Sequence, residues 1–151
     1  MPLTNNGEEF CLKYIYDDAV TKPATVYVGL FLNDPDEGGD DLGVESELAD
    51  ITTEPDDAET YEQQSISFSE TDFTTVFDDE IGHWKAIFED VAFDVQDNTE
   101  DIDAFFLLWD VDDDGVEELV AFEQFENLYN LDTIGGSFVL SEAGKVLLPC
   151  V

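Results

Sequence analysis

Phe105 to Phe122 reads FFLLWDVDDDGVEELVAF. Two apolar runs, Asp103 to Trp109 and Gly115 to Phe122, flank a short acidic turn, and this pattern predicts an antiparallel hairpin. Working outward, Phe73 to Val95 holds FTTVF and IGHWKAIFEDVAFDV. Its spacing suits helix or strand, but Gly82, the β-branched residues and the alternation of Val91, Phe93 and Val95 favour strands. Tyr61 to Ser69, YEQQSISFS, places Ile66 and Phe68 on one face, as in a half-buried strand. Ala24 to Leu32, ATVYVGLFL, is rich in β-branched and aromatic residues and reads as another. Ser137 to Leu140 and Lys145 to Val151, separated by Glu142-Ala143-Gly144, form a closing pair. Short strands with regular turn signals predict a mainly β fold, an antiparallel β-sandwich of jelly-roll-like type.

A short N-terminal helix precedes the strands. Thr4 or Asn5 can cap it, Glu8 and Glu9 suit the positive end of its dipole, and Lys22-Pro23 breaks the chain beyond it. Phe10, Cys11, Tyr14 and Ile15 recur at one-face spacing, predicting a helix from Asn5 to Tyr16 docked by that face. Residues 1–151 then read as one domain, interrupted by a long acidic loop, residues 34–60, with Gly38-Gly39, Gly43 and Pro55. So long a loop in a compact domain is usually functional or disordered. A contact surface is therefore expected there, removable without loss of the fold.

The chain has 151 residues, 39 Asp+Glu against 4 Lys+Arg, and a formal net charge of -35. It is nevertheless 43% hydrophobic and 13% aromatic, which separates it from disordered acidic tails that lack the means to bury a core. Surface scaling puts one net negative charge on roughly every 220 Å². At low ionic strength such a surface repels itself, whereas at 1 M salt the screening length falls to about 3 Å. Carboxylates spread along the whole chain, with lysine the sole basic residue type, fit a halophilic setting. Nucleic acid and anionic membrane surfaces are poor partners, because contacts to phosphate need basic side chains. No secretory signal is evident in MPLTNNGEEF, and the longest apolar run, Ala104 to Trp109, is far short of a membrane span, so a soluble chain is expected.

The most specific local pattern is Asp110-Val-Asp112-Asp-Asp114-Gly115, the first half of a calcium loop, with carboxylates at alternate positions before the glycine of a sharp turn. Asp110, Asp112 and Asp114 are thus candidate calcium ligands, and calcium is the one candidate cofactor. The second half departs from the pattern, since Ala121 stands where the bidentate Glu belongs. His83 is the single histidine, so neither a His-pair metal site nor Ser/His/Asp chemistry with a spare base is available. No phosphate-cradling glycine motif appears. Cys11 and Cys150 fit no metal-ligand spacing and read as two buried thiols or as a disulfide joining the ends. A non-enzyme is expected.

PATVYVGLFLNDP, Pro23 to Pro35, resembles a family of small virion proteins of tailed bacteriophages, tail-fibre-like or minor tail proteins. LTNNGEE from Leu3 is similar to the opening helix of that family. ISFS (Ile66 to Ser69), HWKAIFEDVAF (His83 to Phe93), the hairpin from Phe105 to Phe122 and SFVLSEAGKVLLPCV (Ser137 to Val151) stand in the places of its later strands. With the acidic surface, the resemblance implies a structural protein of a haloarchaeal tailed virus. It would be a tail or tail-fibre-like component, or a capsid decoration (turret) protein, made in the cytoplasm of an archaeal host and located in the virion. Its partners would be itself, as a homo-oligomer with a trimer preferred, and neighbouring virion proteins. The alternative is a soluble calcium- or cation-binding β-module of a halophile.

Overall fold

A computed structural model of the chain describes residues 3–17, 23–67, 73–80, 82–110 and 114–141. In chain order these form α1 (Asn5–Tyr16), β1 (Thr25–Phe31), β2 (Gln64–Ser67), β3 (Phe73–Asp78), β4 (His83–Phe88), β5 (Val91–Asp94), β6 (Asp101–Trp109), β7 (Glu118–Asn130), α2 (Leu131–Ile134) and β8 (Ser137–Leu140). Every strand pairing is antiparallel. Four strands make one sheet in the order β2-β1-β6-β7, and β3-β4 and β5-β8 form two-stranded ribbons. The fold is mainly β with a short N-terminal helix, as the patterning predicts.

The hairpin that decides the fold is β6-β7, with Trp109 opposite Glu118 and Phe106 opposite Phe122. Leu108 faces Leu119 while Leu107 faces Ala121, so Val120 is the extra residue of a β-bulge. The bulge accounts for a run that does not alternate: Leu119, Val120, Ala121 and Phe122 are all buried. β7 also runs past the expected end at Phe122, to Asn130, through a second irregularity between the pairs Ala104↔Gln124 and Ile102↔Tyr129. The turn of helix α2, which the hydrophobic pattern does not signal, follows. Asn130 caps it, its side chain accepting from Thr133 N.

Both faces of the four-stranded sheet are covered, which is why β6 is buried from Ile102 to Trp109. On one face Val26, Val28, Leu30, Phe105, Leu107 and Trp109 share a core with Val91 and Phe93 of β5, Phe138 and Leu140 of β8, and Phe10 of α1. On the other, Phe31, Ala104, Phe106, Leu108, Leu119 and Phe122 pack beneath Leu42, Leu48 and Ile51 of the 34–60 segment. Gly29 lies opposite Phe106 in register, and the Phe106 ring occupies the space a Cβ would need. Burial of Val91, Phe93 and Val95 with Ala92 and Asp94 exposed matches the expected alternation.

The helix docks differently from the expectation. Thr4 caps it, accepting from Gly7 N at 3.2 Å and donating to Leu119 O at 2.6 Å, and Thr4 N donates to Val120 O at 2.9 Å. A side chain at Gly7 would collide with Val120 O, so α1 touches β7 backbone to backbone there. Phe10 is buried against Trp109, ring centroids 5.1 Å apart. Cys11 is only half-buried, and Tyr14 and Ile15 are exposed. Contact is thus concentrated at Gly7 and Phe10, and exposure reaches 82% at Tyr16. The expected closing hairpin is described in its first half only: β8 pairs with β5, and Lys145 to Val151 lie outside the described residues, as do Phe68 and Ser69.

Candidate functional site

The 34–60 segment carries twelve carboxylates and no basic residue, yet it is not a free appendage. It contains two single turns of 3-10 helix, Pro35–Glu37 and Leu48–Asp50, and is otherwise irregular. Its Leu42 is buried, and with Leu48 and Ile51 it packs against Phe31, Phe106 and Phe122 of the sheet. Removing the segment would strip the cover from Phe31, Phe106 and Phe122, so the expectation of a dispensable contact loop gives way to an integral part of the core.

Carboxylates that accept backbone N–H groups hold the segment. The deepest is Asp103 of β6, buried in the sheet. Its Oδ1 accepts from Asn33 N at 2.5 Å, and its Oδ2 from Asp34 N at 3.1 Å and Gln124 Nε2 at 2.9 Å. Asn33, also buried, donates from Nδ2 to Gln124 Oε1 at 3.2 Å and accepts from Leu42 N at 2.7 Å. A buried carboxylate is tolerable because three donors replace its lost water. Farther along, Asp40 accepts from Thr52 N at 3.0 Å, Thr52 Oγ1 at 2.6 Å and Thr53 N at 3.2 Å. The Thr53 hydroxyl accepts from Leu32 N at 2.9 Å, tying the segment back to the end of β1.

At the far end Glu100 accepts from Asp56 N at 2.7 Å and Asp57 N at 2.6 Å. Asp57 accepts from Thr99 N at 2.9 Å and from the Thr99 hydroxyl. Buried Asn98 bridges the two carboxylates, donating to Asp57 Oδ1 at 3.0 Å and Glu100 Oε2 at 3.1 Å. The hydrogen bond with Glu100, then those from Thr99, hold the Asp57 carboxyl below the usual carboxylate range. Tyr61 joins the cover to the sheet. Its hydroxyl accepts from Leu30 N at 2.9 Å and donates to Glu54 Oε1 at 2.8 Å, and its ring stacks on Phe93. Burial pushes the Glu54 carboxyl up, against the opposing hydrogen bonds from Tyr61 and Gln63. Burial, then the Glu54 charge, pushes up the Tyr61 hydroxyl.

Of the calcium candidates, Asp110 and Asp114 come together in the β6-β7 turn, and Asp112 lies outside the described residues. Asp110 accepts from Asp114 N at 3.0 Å and Gly115 N at 2.7 Å, and Asp114 accepts from Val116 N at 2.9 Å. Gly115 has φ +81°, where L side chains are strained, so both the aspartates and the glycine serve the turn itself. Among the described residues no group of three or more His, Cys, Asp or Glu is arranged to hold a metal ion. His83 lies on β4 opposite Asp78. Cys11 lies on α1, and Cys150 is outside the described residues.

Sequence reasoning missed Asp103, Asn33 and Gln124. A signal was present: Asp103 interrupts an apolar run otherwise buried on both faces, where a charge demands donors. It also missed the outer side of α1, where Leu12 (53%), Ile15 (56%) and Tyr16 are exposed at helical spacing. No helix among the described residues is long and apolar enough to cross a membrane. The chain matches no protein-family model, no curated protein and no solved structure.

Proposed function

We propose that this chain is a non-enzymatic structural protein of a haloarchaeal tailed virus, a tail or tail-fibre-like component or a capsid decoration protein. It is made in the host cytoplasm and works in the virion by associating with copies of itself, as a trimer, and with neighbouring virion proteins. The observation that carries this reading is the outer side of α1. In a chain whose surface is dominated by carboxylates, Leu12, Ile15 and Tyr16 form an exposed apolar row on a helix anchored at its other end by Thr4 and Phe10. Apolar patches on an otherwise polar surface mark association sites, and identical copies close into rings. The carboxylate clamps support a rigid part: Asp103, Asp40, Asp57 and Glu100 bond backbone amides and hydroxyls of their own chain. Concentrated salt screens the remaining charges so that copies can approach.

The genes beside the coding sequence test the proposal. Capsid, portal or tail genes on both sides support it, and a neighbourhood of metabolic or transport genes contradicts it.

A further inference from the structure

β1 outruns its neighbour on one side. Its pairing with β2 stops at Val28↔Gln64, whereas its pairing with β6 continues to Phe31↔Ala104. Backbone groups of alternate residues in a strand point to the same side, so Leu30 and Leu32, two residues apart, share the side that β2 no longer covers. Side chains take the place of a strand there. Leu30 N donates to Tyr61 Oη at 2.9 Å and Leu32 N to Thr53 Oγ1 at 2.9 Å, while Leu32 O accepts from Asp40 N at 2.9 Å. Both hydroxyls are in turn held by carboxylates: Tyr61 donates to Glu54 Oε1 at 2.8 Å, and Thr53 Oγ1 lies 2.8 Å from Asp40 Oδ2.

The stretch they fill is unlike the rest of the chain. Ala24 to Leu32, ATVYVGLFL, carries no charge and no proline in a sequence with 39 acidic residues. Uncharged segments of high β-propensity pair with copies of themselves when a strand edge is open, and covering the edge is one way proteins prevent it. Gly29 to Leu32 offers four residues to such a pairing, the length of β2, β5 and β8. We infer that Thr53 and Tyr61 guard a latent strand-docking edge of β1, and that the occupant they keep out is the same edge of a second copy of this chain. A second copy is the occupant because like charge opposes its approach least at this uncharged stretch, and strong salt screens the carboxylates around it. The carboxylates of Asp40 and Glu54 thereby act on association from within the chain, by holding the two hydroxyls against the edge. The inference stands apart from the virion reading, since it concerns a contact that the native chain prevents.

The test uses the full chain carrying Ile15→Glu, which removes association through α1, in about 2 M potassium chloride. Thr53→Val with Tyr61→Ala takes away both guards, Tyr61→Phe takes away one hydroxyl, and Leu131→Ala opens a core cavity at α2 as a control for lost stability. Sedimentation velocity across micromolar to millimolar protein gives association, and amide exchange read by NMR locates it. Without the guards, the Leu30 and Leu32 amides should exchange at least about tenfold faster in dilute protein. They should slow again as the chain associates at high concentration, with Tyr61→Phe changing in the same direction by less and Leu131→Ala remaining monomeric. If the doubly substituted chain does not fold, Tyr61→Phe carries the same test. Guardless protein that stays monomeric at every concentration overturns the proposal. So does association that leaves the Leu30 and Leu32 amides unprotected, or association of Leu131→Ala to the same extent.

Discussion

Replacing Asp103 by alanine tests how the acidic cover is held. The substitution removes the acceptor for Asn33 N, Asp34 N and Gln124 Nε2. A buried donor left without a partner costs about 1–3 kcal/mol. Asn33 is buried and bears that cost in full, whereas Gln124 and Asp34 are more exposed and can turn to water. The expected destabilisation is thus about 2–4 kcal/mol, a large share of the 5–15 kcal/mol typical of a domain. Asp103→Asn keeps one acceptor oxygen but points an amide at a donor, and should fall between alanine and wild type. Urea unfolding in constant high salt, followed by tryptophan fluorescence, gives the stability. Limited proteolysis reports on residues 34–60, which should become cleavable in Asp103→Ala before global unfolding. An Asp103→Ala protein within about 0.5 kcal/mol of wild type, with residues 34–60 still protected, would refute the reasoning.

Four further outcomes follow from the same geometry. Replacing residues 34–60 with a short glycine-serine linker should abolish cooperative unfolding and create binding of a hydrophobic dye, because Phe31, Phe106 and Phe122 lose their cover; a two-state urea transition in the shortened chain would contradict this. Asp57 has a lowered folded pKa, so its stabilisation is present above the unfolded value and is lost as pH falls through the folded one. The Thr99 amide should therefore begin to exchange faster below about pH 4, and Asp57→Asn should remove that acid limb. Glu54 has a raised folded pKa and opposite sign: its contribution is lost as pH rises through that value, so Glu54→Gln should preserve or raise stability at neutral pH. In the β6-β7 turn, Asp110→Ala should lower stability by about 1 kcal/mol to the same extent with and without calcium, and calorimetric titration in high potassium chloride should show no heat that Asp112→Asn abolishes.

Much of the fold was legible because apolar periodicity reports burial on one face. Val91, Phe93 and Val95 betrayed β5, and the capped helix was placed to its final residue. Legibility failed where burial had two sources. The Leu119 to Phe122 run does not alternate because of the bulge at Val120, and the extension of β7 to Asn130 follows a register break that side-chain pattern does not encode. The role of residues 34–60 was hidden for a similar reason. Leu42, Leu48 and Ile51 are spaced without period among carboxylates, so nothing local tells that they cover a distant sheet. Asp103 was lost in the count of 39 acidic residues, although its place inside an apolar strand set it apart. On α1 the predicted stripe holds in its first half, where Phe10 is in the core and Cys11 packs against it, whereas Tyr14 and Ile15 are exposed.

Sedimentation velocity across a salt series, on wild type and on Ile15→Glu, bears most directly on the central claim of a salt-dependent assembling part. At about 3 M potassium chloride the wild type should sediment as one closed oligomer without added calcium, and Ile15→Glu as a folded monomer. Dialysis to low salt should dissociate or unfold both. A wild type that is monomeric at every salt concentration, or that keeps its full structure in dilute buffer, would contradict the account.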